Sequence, residues 1–294
     1  MGNLDHEDNL PIYEAAAEKG FRQHVGVYYM WDFFADDKDF RIPPELLDRN
    51  RSIFAAGLKL IGDGSVSGRT AWMNRPYPGT DGEYGISVCS DNLVESAVSF
   101  CRKNHCQLSM HAMGGRAISR MIDRACQEEK WTPKGIPYVR IEHATDPSDD
   151  SLKKAAGHGI SFVTQPIFLY AESKSYLSNL GQEWPRRCYP IRHILEEGVV
   201  LGFSTDAPAT FWAVPSDPFP GIKLAVTRTA ADGTDCGREQ AVDAETAVKL
   251  YTAGAAQAAG FPDMGMLVPG YRADFAVLSL SLIHISEPTR HAQI

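Results

Sequence analysis

The 294 residues predict an α/β fold in which parallel strands and crossover helices wind into a (β/α) barrel. Three observations carry that prediction. Short apolar runs alternate with helical patterns and no hairpin signal intervenes, so neighbouring strands run parallel. Several runs are apolar almost throughout, as expected of strands covered on both faces. The unit also recurs regularly: His111 and His143 stand 32 positions apart, and His143 and Asp206 stand 63 apart, or two units. No GxGxxG and no GxxxxGK[ST] follows a strand, so a nucleotide-binding open sheet lacks its main support.

The predicted strands are Gln23 to Tyr29, Gly57 to Ile61, Gln107 to His111, Tyr138 to His143, Ile160 to Gln165 and Val199 to Ser204. Among the helices, Leu10 to Lys19 comes first, and Asp91 to Lys103 opens with Ser90 as its cap. Ala117 to Glu128 carries Ile118, Met121, Ile122 and Ala125 at helical spacing. Pro147 to Ala156 begins with Pro and acids and stops at Gly157, and Ile191 to Glu197 stops at Gly198. Ala244 to Ala259 closes the series before Gly260.

Composition narrows the classes. With 44% hydrophobic and 22% charged residues the chain has ordinary globular usage, which excludes disorder, collagen and coiled coil. A net charge of −8 argues against nucleic acid or an anionic membrane as partner. No run approaches the ~20 apolar residues of a membrane span, and Met1 to Asp8 has neither the basic nor the apolar region of a secretory signal. His6 stands where myristoylation wants Ser or Thr. The six cysteines form no CxxC pair and read as reduced thiols of a cytoplasmic protein.

Polar residues recur where strands end: Lys59 near the end of its strand, His111, His143, and Asp206 just past Val199 to Ser204. In a barrel the C-terminal strand ends converge on one mouth, so these four can meet. Two imidazoles and two anionic oxygens suit zinc or another divalent ion. Lys59 fits that set only as a carbamate formed with carbon dioxide, since an ammonium repels a cation. Taken singly, each has a plainer explanation, as a satisfied polar residue, a turn aspartate or a snorkelling lysine. Their joint recurrence at one end of successive strands favours a site. His24, His105, His158 and His193 are read as structural, as is His6.

The motifs then become specific. Gly57-Leu58-Lys59-Leu60-Ile61-Gly62-Asp63-Gly64-Ser65, continuing to Gly68-Arg69-Thr70-Ala71, resembles the lysine-strand signature of the amidohydrolase 3 family. His111-Ala112-Met113-Gly114-Gly115-Arg116-Ala117 resembles that family's HAxGDRA motif, and Arg140-Ile141-Glu142-His143 its RIEH motif. Thr164-Gln165-Pro166, Ser204-Thr205-Asp206-Ala207-Pro208 and Gly265 to Phe275 follow in the family's order.

The resemblance implies a metal-dependent hydrolase of carbon–nitrogen bonds in non-peptide amides or cyclic amides, taking a small-molecule substrate. A homo-oligomer is compatible with it. His111 and His143 would bind metal, carbamylated Lys59 would bridge two ions, and Asp206 would also hold the attacking water. That aspartate would act as general base, then as acid towards the leaving nitrogen.

Two departures matter. Gly115 stands where the family has an acid, which puts support of a ligand or substrate contact in question. The family's barrel also opens with an HxH pair on its first strand, and no HxH occurs in these 294 residues. The expectation is therefore a partial (β/α)8 barrel of about six of eight strands over residues 1–262, with the missing two before Met1 and low or no activity. Residues 263–279 are expected to be a remnant of a small β-sandwich domain. Residues 280–294 resemble a translated sequencing adapter and are set aside, with His284 and His291. The rival expectations are a non-catalytic barrel that serves as a binding module, and a one-metal hydrolase that dispenses with Lys59. Trp72, Tyr77, Phe168, Tyr170, Trp184 and Trp212 are expected in mouth loops, lining a pocket or packing the loops.

Overall fold

The structure, a computed structural model, describes the backbone of residues 2–4 and all of residues 10–278. His6 and residues 280–294, with His284 and His291, lie outside that range.

Among the described residues, seven parallel strands form one sheet in strict chain order. They are β1 (Gly2–Leu4), β2 (Val25–Met30), β3 (Ile53–Ile61), β4 (Gln107–Ala112), β5 (Val139–His143), β6 (Ser161–Thr164) and β7 (Val200–Phe203). A doubly wound sheet reverses its order at a switch point, whereas sequential order is the winding of a barrel. The six expected strands are all present, and three-residue β1, too short for any periodic signal, adds a seventh.

The helices are α1 (Leu10–Glu18), α2 (Trp31–Phe34), α3 (Asp91–Asn104), α4 (Gly115–Ala125), α5 (Asp149–His158), α6 (Pro166–Leu180), α7 (Trp184–Arg187), α8 (Ile191–Glu196), α9 (Phe219–Thr227), α10 (Ala244–Lys249) and α11 (Ala255–Ala259). A π-helical turn, Leu250–Gly254, joins the last two, so the expected run from Ala244 to Ala259 is helical throughout. Ser90 caps α3 by accepting from the Leu93 N–H at 3.2 Å. The start of α5 is corrected from Pro147 to Asp149, because Ser148 is the cap and accepts from Ser151 N–H. Its stop moves from Gly157 to Gly159, the residue that is left-handed at φ 65°. Helices α6 and α9 were not expected. Each is buried on several sides, so neither shows a single apolar stripe.

The pairing register assigns every strand two faces. Leu58, Leu60, Leu108, Met110, Val139, Ile141, Phe162 and Leu201 are in register and pack in the main core with Val94, Val98, Ile118 and Met121 of α3 and α4. The opposite face carries Lys59, Gln107, Ser109, His111, Arg140, Glu142 and Ser161, again in register. This is the polar face, and it carries the site.

Lys59 reaches that face because of a bulge. Early in β3, Phe54 and Ala56 pack with Tyr28, while Ile53 and Ala55 join the main core. Simple alternation would keep 54, 56, 58 and 60 on one side. Instead the pairing with β2 slips between Val27 and Tyr28, which oppose Ala55 and Gly57, so one residue is inserted and the later sense reverses. Gly57 makes this possible, since a Cβ there would sit 1.7 Å from the Gln107 carbonyl oxygen.

A second apolar cluster, which includes Tyr77, Met113, Leu169, Tyr176, Tyr189 and Leu224, packs the segments that follow the strands. After α11, residues 263–278 contain no strand, and Leu267, Phe275 and Val277 are exposed. No described helix is long and apolar enough to cross a membrane. All six cysteines are free thiols.

Candidate active site

His111 is placed by strand alternation and Lys59 by the β3 bulge, whereas His143 is placed by neither. Alternation puts His143 on the face of Ile141, opposite Ala112. A left-handed backbone at His143 (φ 73°), continued at Ala144 (φ 47°), breaks the alternation. Its ring meets that of His111 edge to face, with centroids 4.3 Å apart and planes at 66°. Asp206, just beyond β7, is also left-handed at φ 56°. Such conformations cost free energy and persist where the surroundings dictate them.

Each imidazole has one nitrogen engaged. The Nε2–H of His111 donates to the Gly64 carbonyl at 2.9 Å, with Asp63 Oδ1 at 3.4 Å. The Nδ1–H of His143 donates to Gln165 Oε1 at 2.8 Å, and Gln165 Nε2 donates to Ser204 Oγ at 2.9 Å. Nδ1 of His111 and Nε2 of His143 are the nitrogens these bonds leave over. Phe168 stacks on His143 at 5.8 Å and 20°.

Burial sets the charges. It holds His111 down at about 4, helped by the Lys59 charge and opposed by the bond to Gly64. His143 is held well below the ordinary histidine value by burial, His111 and Lys59. Both rings are therefore neutral near pH 7, the form that offers a lone pair. Burial also lowers Lys59, against the charges of Glu142 and Asp206 and with that of Arg140. Asp206 is pushed up to about 6 by burial, opposed by Lys59 and helped by Glu142. Lys59 is thus the hub, coupled to both histidines, Glu142 and Asp206.

The expected ligands are brought together unequally. His111 and His143 touch, and Lys59 and Asp206 are coupled electrostatically to that cluster. Among the described residues, no three His, Cys, Asp or Glu side chains form a metal cage by themselves. The chemistry of the donors does fit a divalent ion: two neutral imidazoles, a carboxylate and a buried amine that burial favours uncharged.

Several residues escaped the sequence reasoning. Asp63 is fully buried and accepts from the N–H groups of Trp72, Met113 and Gly114 at 2.8 to 2.9 Å, tying the loop after β3 to the start of α4. Burial raises it to about 6 against those three bonds. Glu142 accepts from Ser109 Oγ at 2.7 Å and pairs with Arg140 Nε. Despite burial, Arg140, Lys59 and those bonds keep Glu142 below the ordinary carboxylate value. Position parity inside Arg140-Ile141-Glu142-His143 was the available signal for Glu142. Asp63 and Gln165 stand inside the motifs quoted above, but no role was assigned to either.

The aromatic expectations divide. Phe168 and Tyr170 lie on α6 and Trp184 opens α7, so these three are helical rather than in loops. Tyr77 and Tyr170 are buried in the second cluster, with Phe168, Trp184 and Trp212 packed against it. At Gly115 a Cβ would sit 2.1 Å from Asn74 Nδ2, so the Asn74 amide fills the space beside that backbone. Elsewhere, His193 pairs with Asp149 at 2.9 Å, His105 Nδ1–H donates to the Trp131 carbonyl, and His158 Nδ1–H donates to the Lys154 carbonyl.

The chain belongs to the Amidohydrolase family, whose model matches residues 3–294. It is 28% identical over 280 residues to the amidohydrolase YtcJ of Bacillus subtilis (strain 168), covering 92% of this chain and 50% of that protein. It is 24% identical over 218 residues to an N-substituted formamide deformylase of Arthrobacter pascens, covering 70% of this chain and 39% of that one. Among solved structures it resembles an uncharacterized metal-dependent hydrolase from Pyrococcus furiosus, with TM-score 0.74, 25% identity, and coverage of 92% of this chain and 54% of that one. A counterpart from Pyrococcus horikoshii OT3 gives TM-score 0.72 and 26% identity, covering 96% and 56%. The chain thus spans about half the length, or less, of these relatives.

Proposed function

We propose that this chain carries part of the centre of a divalent-metal-dependent hydrolase that cleaves carbon–nitrogen bonds in non-peptide amides or cyclic amides, with zinc as the ion. The observation that carries the reading is the pair of neutral imidazoles, edge to face, each with one nitrogen engaged and the other left over, both under the charge influence of buried Lys59. Membership of the Amidohydrolase family supports hydrolysis, and the relatives named as metal-dependent hydrolases support the ion. A relative named for N-substituted formamides supports the bond type.

In this reading His111, His143 and Asp206 hold the metal. When bound, the ion lowers the pKa of a water towards ~7 and polarises the substrate carbonyl. Asp206 takes the proton from the attacking water and returns it to the leaving nitrogen. In the metal-free chain burial raises its carboxyl to about 6, so it is ionised at neutral pH. Lys59 would join the ligand set as a carbamate, formed when its neutral amine adds carbon dioxide and sheds a proton, and its burial favours that neutral form.

The 294 residues contain no His-X-His pair, so the described residues supply two imidazoles and a partial ligand set. We assign the chain low turnover as it stands. Zinc analysis of the purified chain together with a panel of N-substituted amides tests the reading. Stoichiometric zinc with weak amide hydrolysis is expected; a chain that excludes zinc and cleaves nothing contradicts it. A one-metal version that uses only His111, His143 and Asp206 predicts that Lys59→Ala keeps activity.

A further inference from the structure

A neutral imidazole carries one N–H, so holding His143 as a ligand requires a choice between its two nitrogens. The surroundings make that choice. His143 Nδ1 faces Gln165 Oε1 at 2.8 Å, and Gln165 is 1% exposed. The Gln165 amide could in principle be turned over, which would place its NH2 against Nδ1 and demand the other tautomer. Two groups lie beside the amide nitrogen: Ser204 Oγ at 2.9 Å and the Val163 carbonyl at 3.5 Å. The serine hydroxyl can donate or accept, so it does not discriminate. A carbonyl only accepts, and turning the amide over would set oxygen against oxygen there. The Val163 carbonyl therefore favours the NH2 on its own side and leaves Oε1 for His143 Nδ1–H.

The assembly is braced from several elements. Gln165 precedes α6, whose first residue is Pro166. Ser204 N–H donates to the Thr164 carbonyl at 3.1 Å, which ties the end of β7 to the end of β6. Phe168 stacks on the face of the His143 ring, and the ring of His111 meets it edge to face. His111 is held the other way round, since Nε2–H must donate to the Gly64 carbonyl. One imidazole thus leaves Nδ1 over, and its neighbour leaves Nε2.

We propose that Gln165, oriented by the Val163 carbonyl and Ser204, is the positioning residue that holds His143 as its Nδ1–H tautomer and presents Nε2 to the metal. The metal half of this statement rests on the function proposed above, whereas the tautomer half does not. Gln165 touches neither substrate nor ion in this role. It acts through His143, as hydrogen-bond partners of metal-binding histidines do generally.

The test uses the full 294-residue chain, labelled with 15N-histidine and freed of metal, read by two-bond proton–nitrogen correlation NMR at pH 7.5. The expected spectrum shows His143 protonated at Nδ1 and His111 at Nε2. In Gln165→Met, close in shape but lacking the acceptor oxygen, His143 is expected to lose its Nδ1–H preference while His111 keeps its own pattern. Zinc affinity, measured by competition with a chelator, is expected to fall ~10–100-fold in Gln165→Met. A His143 that is Nε2-protonated in the unmodified chain overturns the proposal whether or not any variant folds. An unchanged His143 pattern in folded Gln165→Met overturns it as well. If the unmodified chain takes up no zinc, the proposed function fails, and the tautomer comparison still decides the positioning role.

Discussion

Replacing Asp206 by asparagine separates what the site does from what it costs. Burial pushes the Asp206 carboxyl from 3.8 up to about 6, against the attraction of Lys59. The folded chain therefore binds this proton more tightly than the unfolded chain. The stability penalty is present above pH 6 and is relieved as pH falls through 6 towards 3.8. A rise from 3.8 to about 6 corresponds to ~3 kcal/mol of penalty near pH 7.5, shrinking below ~1 kcal/mol at pH 4. Asn is nearly isosteric and tolerates the left-handed backbone at φ 56°, so the substitution removes charge without new strain. Asp206→Asn should accordingly stabilise the metal-free chain by up to ~3 kcal/mol at pH 7.5, with little gain at pH 4. It should also abolish amide hydrolysis. Urea unfolding of both proteins in excess chelator, at the two pH values, reads the difference. Destabilisation at pH 7.5, or a gain of equal size at both pH values, would refute the reasoning. A site that lowers stability while enabling chemistry is the usual relation between the two.

Other expectations follow from the same geometry. Lys59→Ala should lower kcat/KM for an amide by ~100-fold, the scale of losing one charge-stabilising group, and retained turnover would favour the one-metal version. Gly57→Ala should destabilise by ~1–3 kcal/mol or more, because the new methyl meets the Gln107 carbonyl; a chain with unchanged thermal unfolding would contradict the bulge. Leu60→Ala, on the core face of β3, should cost ~2–5 kcal/mol in chemical unfolding and leave zinc uptake by folded chains unchanged.

Much of the fold was legible because its signals are local. The apolar strands, the Ser90 cap and the Ile118, Met121, Ile122 and Ala125 stripe each need only a few neighbouring residues. Helices α6 and α9 were not legible, since burial on several sides erases the periodicity that marks a surface helix. Lys59 and His111 could be placed at strand ends, but the β3 bulge that aims Lys59 depends on a close approach between Gly57 and Gln107, fifty positions away. His143 was singled out correctly as a strand-end residue, yet alternation alone would face it away from His111. Only the left-handed turn brings it across. Asp63 and Gln165 stood inside quoted motifs, yet their roles were not legible for a related reason: those roles lie in partners such as Gly114 and His143, which the fold supplies and the local sequence does not.

Zinc binding by the metal-free chain tests the central claim most directly. Equilibrium dialysis at pH 7.5 should show saturable zinc uptake in the unmodified chain, lost in both His111→Ala and His143→Ala. Saturating zinc at ~100 times its Kd should raise unfolding stability by ~2.7 kcal/mol in the unmodified chain alone. Uptake that survives loss of either imidazole, or no uptake at all by the folded unmodified chain, would contradict the account.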